Sequence, residues 1–372
     1  MDIGIPKETG AHEHRVALTP SGVKALVQAG ARVWVESRAG MDAGYPDVEY
    51  QQAGATTVFS RTEVFGRAEL VVCIQPPGDK SREFLQPGQV VVANWALPAA
   101  RPEDFRELQE HGVTAIGLEV IETEDGVASV RVCMAEIAGK LALTIGSGLL
   151  LNDFGGKGIL LSGAPGVPPA SMVIVGAGVL GRAAAQAALG IGTQVVLLDR
   201  SVEHLRYAMN HLGQSIPTML ATRPNIEKAL GFADLLLLAA ARQGERAPLL
   251  ITRDMLRLMR PRSVIMDLSI DMGGCCETSR PTSFPTPTYE VDGIIHFCVP
   301  NLPSVAARSA TVALTNALLP TLLEIVHKGF DNAFLENRGL CTGTYLYRGA
   351  CCKESLARIF GVAFQAPPCA GS

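Results

Sequence analysis

The chain is poor in aromatic residues: 5% of its 372 positions are Phe, Trp or Tyr, and only 2 are Trp. Charge is also sparse, at 18% of residues, and the formal net charge is −4. No basic run is present, so the electrostatic footprint of a nucleic-acid-binding protein is missing. The N-terminus, Met1-Asp2-Ile3-Gly4-Ile5-Pro6-Lys7-Glu8, lacks the basic and apolar regions of a signal peptide. No stretch has the length of uninterrupted apolar residues that spans a bilayer, so no membrane association is expected. Internal repeats and low-complexity tracts are absent. The 9 cysteines have no C-x-x-C spacing, and two of their clusters, Cys275-Cys276 and Cys351-Cys352, are adjacent pairs. Adjacent pairs suit neither a structural disulfide nor a tetrahedral zinc site. All nine are expected to be reduced thiols in a cytoplasmic protein, and no metal is expected.

What is present is apolar mass. Hydrophobic residues make up 48% of the chain, enough for large buried cores, and the length suggests two domains. Short apolar runs recur at Ile3–Ile5, Arg32–Val35, Leu70–Ile74, Val90–Ala93 and Val113–Gly117. Helical patterns, such as Ser21–Ala29 and Pro102–His111, lie between them. That alternation predicts a mostly parallel sheet covered by helices. Residues 130–151 and 304–328 read as two long, weakly charged helices. Both are expected to bridge the domains, and the first to be buried between them. Further strands are expected at Gln194–Leu198, Leu235–Leu238, Ser263–Met266 and Ile294–Phe297, with helices at Ser201–Leu212 and Asn225–Gly231. The fold class is α/β: two doubly wound Rossmann-like domains with parallel sheets, linked by long helices. The expected division is 1–129 plus 308–372 for a substrate domain and 130–307 for a nucleotide domain. A cleft between domains is the usual meeting place of cofactor and substrate.

The most informative stretch is Met172-Val173-Ile174-Val175-Gly176-Ala177-Gly178-Val179-Leu180-Gly181, followed by Asp199 at the end of Gln194–Asp199. Gly176 permits a tight turn, Gly178 lets a pyrophosphate approach the backbone, and Gly181 lets the helix pack on the sheet. The helix N-terminus offers N–H groups and partial positive charge to the phosphates. Asp199 can accept hydrogen bonds from a ribose diol and repels a 2′-phosphate, which favours NAD over NADP; the adjacent Arg200 weakens that preference slightly. Strand context and a correctly placed acid raise the motif above a glycine-rich turn without a ligand.

These residues resemble the alanine dehydrogenase and proton-translocating transhydrogenase family. Gly4–Glu8 with Arg15–Pro20 looks like its N-terminal signature, and Gly155–Val167 looks like the loop before its nucleotide fold. Ser263–Gly274 and Cys298–Pro303 are similar to its later motifs. The C-terminal part resembles alanine dehydrogenases rather than the transhydrogenase subunit. The resemblance implies NAD binding in the second domain, hexamers formed through helices like 130–151, and reversible conversion of L-alanine to pyruvate and ammonia. It implies that Arg15 holds the carboxylate of a small amino acid or 2-oxo acid, a task suited to its planar fork. Asp271 would sit beside the nicotinamide ribose, Asn301 near it, and Glu119 near the substrate. Cofactor contacts are expected from Gly176, Ala177, Gly178, Val179, Leu180, Gly181, Asp199, Arg200, Ala239, Ala240, Leu268, Ile270, Asp271 and Asn301. The alternative for Arg15 is a surface ion pair with Glu8 or Glu13. Asp267 reads as structural, holding the loop after its strand.

Two departures bear on function. Family members carry a lysine that polarises the substrate carbonyl, where this chain has Gln75 after Cys73; the nearest lysine is Lys80. They carry a histidine as general acid/base, where the aligned position falls on Ala96, beside Trp95. Trp95 and Pro98 are expected to make that wall bulkier. Such groups contribute roughly 10²–10⁴-fold each. Three readings follow. The first is an NAD-dependent oxidoreductase with an altered substrate, using Glu119, Gln75, Asp271 or Cys73. The second is a silent NAD-binding sensor or assembly partner, and the third a true L-alanine dehydrogenase. His12 and His14 read as surface-loop residues and His296 as a hydrogen-bonded core residue. Ser162 and Ser304 have no partnered base nearby.

Overall fold

The structure, a computed structural model, describes residues 1–95, 97, 100–212, 216–240 and 246–369, apart from the side chains of residues 79 and 80. It divides into two compact units, Met1–Met134 with Ser304–Ser372, and Ala135–Pro303. The strands of the first half are β1 (Asp2–Ile5), β2 (Arg32–Glu36), β3 (Thr56–Val58), β4 (Leu70–Val72), β5 (Val90–Ala93) and β6 (Thr114–Gly117). Then come β7 (Ser171–Val175), β8 (Gln194–Asp199), β9 (Thr218–Leu220), β10 (Leu235–Leu238), β11 (Val264–Asp267), β12 (Thr288–Val291) and β13 (Ile294–Phe297). β14 (Thr344–Tyr347) and β15 (Ala350–Cys351) follow near the end.

The first unit holds an 8-stranded sheet in the order β15-β14-β6-β5-β4-β1-β2-β3. β1 to β6 run parallel, while β14 and β15 pair antiparallel at one edge. The second unit holds a 7-stranded sheet, β12-β13-β11-β10-β7-β8-β9, in which only β12 is antiparallel. Both sheets are doubly wound, as expected. Their direction of winding reverses between β1 and β4 in one unit and between β7 and β10 in the other. In such sheets ligands bind beyond the carboxyl ends of the strands at that reversal.

The continuous apolar runs follow from burial on both faces. In β4, Leu70 and Val72 join one core and Val71 the opposite one. In β7, Met172 and Ile174 face one side and Val173 and Val175 the other. Crossover helices supply the covering layers. One of them, Pro20–Gln28, starts with Thr19 capping the Gly22 N–H and Pro20 in its first turn.

Several expectations need correction. The helix Ser129–Leu149 is not deeply buried within the chain, since 33% of its most apolar window is buried. Among the described residues two helices, Ser129–Leu149 and the longer Leu302–Lys328, are long and apolar enough to cross a membrane by length and composition, although charged residues such as Arg131 and Arg308 interrupt both apolar runs. Core helices of soluble proteins meet the same criterion. The nine cysteines are not all free thiols: Cys341 and Cys369 form a disulfide, 28 residues apart in sequence. Beyond residue 329 the chain returns to the first unit, where β14 and β15 extend its sheet.

Candidate functional site

In the second unit the fingerprint turn has the geometry its glycines require. Gly176 has φ +116°, and a Cβ there would stand 2.2 Å from the Ala239 carbonyl oxygen. A Cβ on Gly181 would stand 1.8 Å from the Gly176 oxygen. Gly178 is different, because nothing lies within 4 Å of its would-be Cβ. It is the N-cap of the helix Val179–Gly190 and supplies no side-chain cap. The N–H groups of Val179, Leu180 and Gly181 open that helix beside an unfilled space, which suits a diphosphate.

Asp199, nearly buried, ends β8 and ties the turn to it. Its Oδ2 accepts the Ala177 N–H at 2.7 Å and its Oδ1 the Ser201 N–H at 2.8 Å. His204 Nδ1 lies 3.4 Å from Oδ1, and Arg200 is exposed. Ala239 donates its N–H to Val175 O, and Ala240 follows it after β10. Leu268 donates to Leu238 O. Ile270, Asp271 and Met272 form a 3-10 turn in which Ile270 is buried. Asp271 reaches solvent, yet desolvation by surrounding protein raises its carboxyl above the ordinary range, against the Asn301 backbone N–H bonded to it. Asn301 itself is left-handed, with φ +54°, a conformation that asparagine tolerates and that concentrates at functional sites. Asp267 is structural, as expected: it is fully buried and accepts the N–H groups of Ser269, Cys275 and Cys276 and the Ser279 hydroxyl. His296 is also a core residue, bonded to Thr278 Oγ1 and Ile294 O.

In the first unit, polar side chains gather at the carboxyl edge of the parallel strands. Arg15 is 7% exposed and Glu13 5%, so their contact is a buried pair rather than the surface pair considered as the alternative. Nε and Nη2 of Arg15 donate to Glu13 at 2.7 and 2.6 Å, while Nη1 points at Met134 Sδ, 3.3 Å away. Gln75 follows β4 with its side chain packed over Gly10. Glu119 follows β6, its Oε1 accepting the Tyr345 hydroxyl at 2.8 Å, a bond that joins burial in raising the Tyr345 phenol. Cys73 offers no chemistry, because it packs in the core, where desolvation holds its thiol well above the usual range. Trp95 likewise is buried in that core and donates to Val91 O at 3.3 Å, so it does not wall an open pocket. Ala96 and Pro98, and the Lys80 side chain, lie outside the described residues.

Sequence reasoning missed Glu8 as a site residue. Its Oε1 accepts the Ile74 N–H at 2.6 Å and its Oε2 the Gln75 N–H at 3.1 Å, across the winding reversal between β1 and β4. Desolvation pushes its carboxyl up to about 7, with Glu13 adding to the rise and the two N–H bonds and Arg61 opposing it. A carboxylate just past a parallel strand was the available signal. His12 and His14 are exposed. Ser304 is buried and ties that loop down, donating to His12 O and accepting the His14 N–H.

Two family models cover nearly the whole chain: the alanine dehydrogenase/PNT N-terminal domain over residues 4–138 and the C-terminal domain over 142–354. The chain belongs to the alanine dehydrogenase/PNT family. It is 39% identical to the alanine dehydrogenase of Methanococcus maripaludis over 359 residues, covering 96% of each chain. It is 39% identical to that of Bacillus subtilis over 362 residues, covering 97% of this chain and 95% of the relative. A solved L-alanine dehydrogenase superposes with a TM-score of 0.92 at 38% identity, covering 97% of this chain and 99% of the other. The cofactor of this alanine dehydrogenase/PNT nucleotide unit is NAD, and the open space at Gly178 fits its diphosphate.

Proposed function

We propose that the protein is an NAD-dependent oxidoreductase acting on the CH–NH2 group, or the imine, of an amino acid or related carboxylate, with an altered active site. The observation that carries this reading is Arg15, buried and oriented by Glu13 beside the carboxyl edge of the first sheet. A guanidinium so held is pre-organised for a substrate carboxylate, because little of its conformational freedom is left to lose on binding. NAD, when bound, supplies the hydride acceptor at the nicotinamide ring. Gln75 can donate a hydrogen bond to the substrate oxygen but carries no charge. Asp271 and Asn301 position the nicotinamide end, and Asp199 with the turn at Gly176–Gly181 holds the adenosine and diphosphate end. The protein on this reading is a cytoplasmic homohexamer. The partly exposed Val132, Ile137, Leu141 and Ile145 on the helix Ser129–Leu149 support assembly through that helix.

The test is direct. The protein is incubated with NAD and a panel of L-amino acids, and separately with NADH, ammonia and 2-oxo acids, while nicotinamide absorbance is followed. Turnover with a substrate other than alanine supports the reading. Fast alanine turnover with Gln75 in place identifies an ordinary alanine dehydrogenase, and NAD binding without turnover a silent relative. Gln75→Lys combined with Ala96→His is expected to raise alanine oxidation about 10²-fold or more. No gain in a folded double variant would mean that these positions do not carry the proton and carbonyl chemistry.

A further inference from the structure

We propose that Glu8 is the acid–base residue of this reaction, a role that rests on the dehydrogenase reading above. Glu8 stands at the winding reversal of its sheet, where doubly wound sheets bind their ligands. Its carboxylate bridges the end of β1 to the Ile74 and Gln75 N–H groups at the end of β4, and the Gln75 side chain lies over Gly10, two residues along the same loop. Each carboxylate oxygen retains a second lone pair beyond the one given to the backbone. The segment is held from the other side by Arg61, which donates to the Lys7 carbonyl oxygen and to Ser81 Oγ, with Glu36 3.6 Å from its Nε. Among the described residues, the charged and titratable groups facing Glu8 are Glu13 on its own loop, Arg61 on the helix Arg61–Arg67, and Cys73 at the end of β4. Glu13 is committed to Arg15 and Cys73 to the core, so Glu8 is the group of this cluster whose proton affinity matches neutral pH.

The chemistry balances as follows. The substrate ammonium gives one proton to Glu8, which passes it to solvent. The Cα–H bond then breaks as hydride, reducing NAD by two electrons and leaving a C=N iminium. Water adds to that carbon, and Glu8 takes one of its protons and hands it to the nitrogen. The C–N bond then breaks as Glu8 takes the remaining O–H proton and passes it to the departing ammonia, which leaves as ammonium. The 2-oxo acid keeps the oxygen of water, and one net proton is released.

The experiment uses the full chain with NAD and L-alanine first, then the amino acid turned over fastest. For the wild type, kcat/KM should rise with pH through an apparent pKa near 7. Glu8→Gln should lower it by roughly 10²–10⁴-fold and remove that limb, with NADH affinity unchanged. Glu8→Ala should regain turnover on adding formate, which a merely structural role would not allow. Independently of activity, 13C-glutamate labelling should show a carboxyl resonance titrating near neutral pH that Glu8→Gln removes. Turnover that keeps its pH limb in Glu8→Gln, or a loss that formate does not relieve, overturns the assignment alone. A wild type that binds NAD but oxidises no amino acid overturns the dehydrogenase reading, and the assignment with it.

Discussion

At the winding reversal of the nucleotide unit, between β7 and β10, the backbone turns on Gly176 so closely that a methyl group would collide with Ala239. At the matching point of the other unit, between β1 and β4, the gap is closed by the Glu8 carboxylate. One topology thus produces two opposite electrostatic sites. The first leaves the N–H groups of a helix start facing open space and attracts an anion. The second gives the Ile74 and Gln75 N–H groups to the chain's own Glu8 carboxyl, so they are not offered to an outside anion. Strand order alone therefore does not say which sheet takes the dinucleotide; the residues just past β1 and β7 decide it.

Substitutions can break or sharpen this contrast. The largest effect is expected from Arg15→Met, which strips the guanidinium from the buried Glu13 carboxylate. Breaking a buried pair costs about 3–5 kcal/mol, read by denaturant unfolding, and NAD binding to the other unit should survive it. Loss of NAD binding as well would mean that the two regions do not respond separately. Next is Gly181→Ala, whose methyl group has no room against the Gly176 oxygen. Overpacking of this kind costs about 1–3 kcal/mol, and calorimetry should find NAD affinity largely gone. The smallest change in stability is expected from Gly178→Ala, within about 0.5 kcal/mol, because its Cβ enters open space. Yet NAD affinity should fall about tenfold, a 1.4 kcal/mol effect, since that space is where the diphosphate approaches. Unchanged affinity would remove the fit of the cofactor to this turn.

Much of the fold was legible because burial on both faces leaves unbroken apolar runs. Leu235–Leu238 and Val90–Ala93 could be read as strands from four residues each. β3, β9 and β14 were not legible: they are short and contain threonine, and β9 is only partly buried. The nucleotide turn could be read in full because its parts lie within about two dozen residues of one another, each glycine answering a local steric demand. The other cluster could not, because Glu8, Glu13 and Arg15 follow β1, Gln75 follows β4 and Glu119 follows β6, and only the sheet order brings those three strand ends side by side. The Cys341–Cys369 bond and the depth of Trp95 were equally non-local, set by where the last segment and β5 pack.

The antiparallel edge has a consequence for synthesis. β14 and β15 lie beyond residue 343, yet they complete the sheet that β1 begins. The unit spanning Ala135–Pro303 is continuous in sequence, so all of its strands leave the ribosome while the sheet started first still lacks its border. The middle of this polypeptide can finish folding before its beginning can.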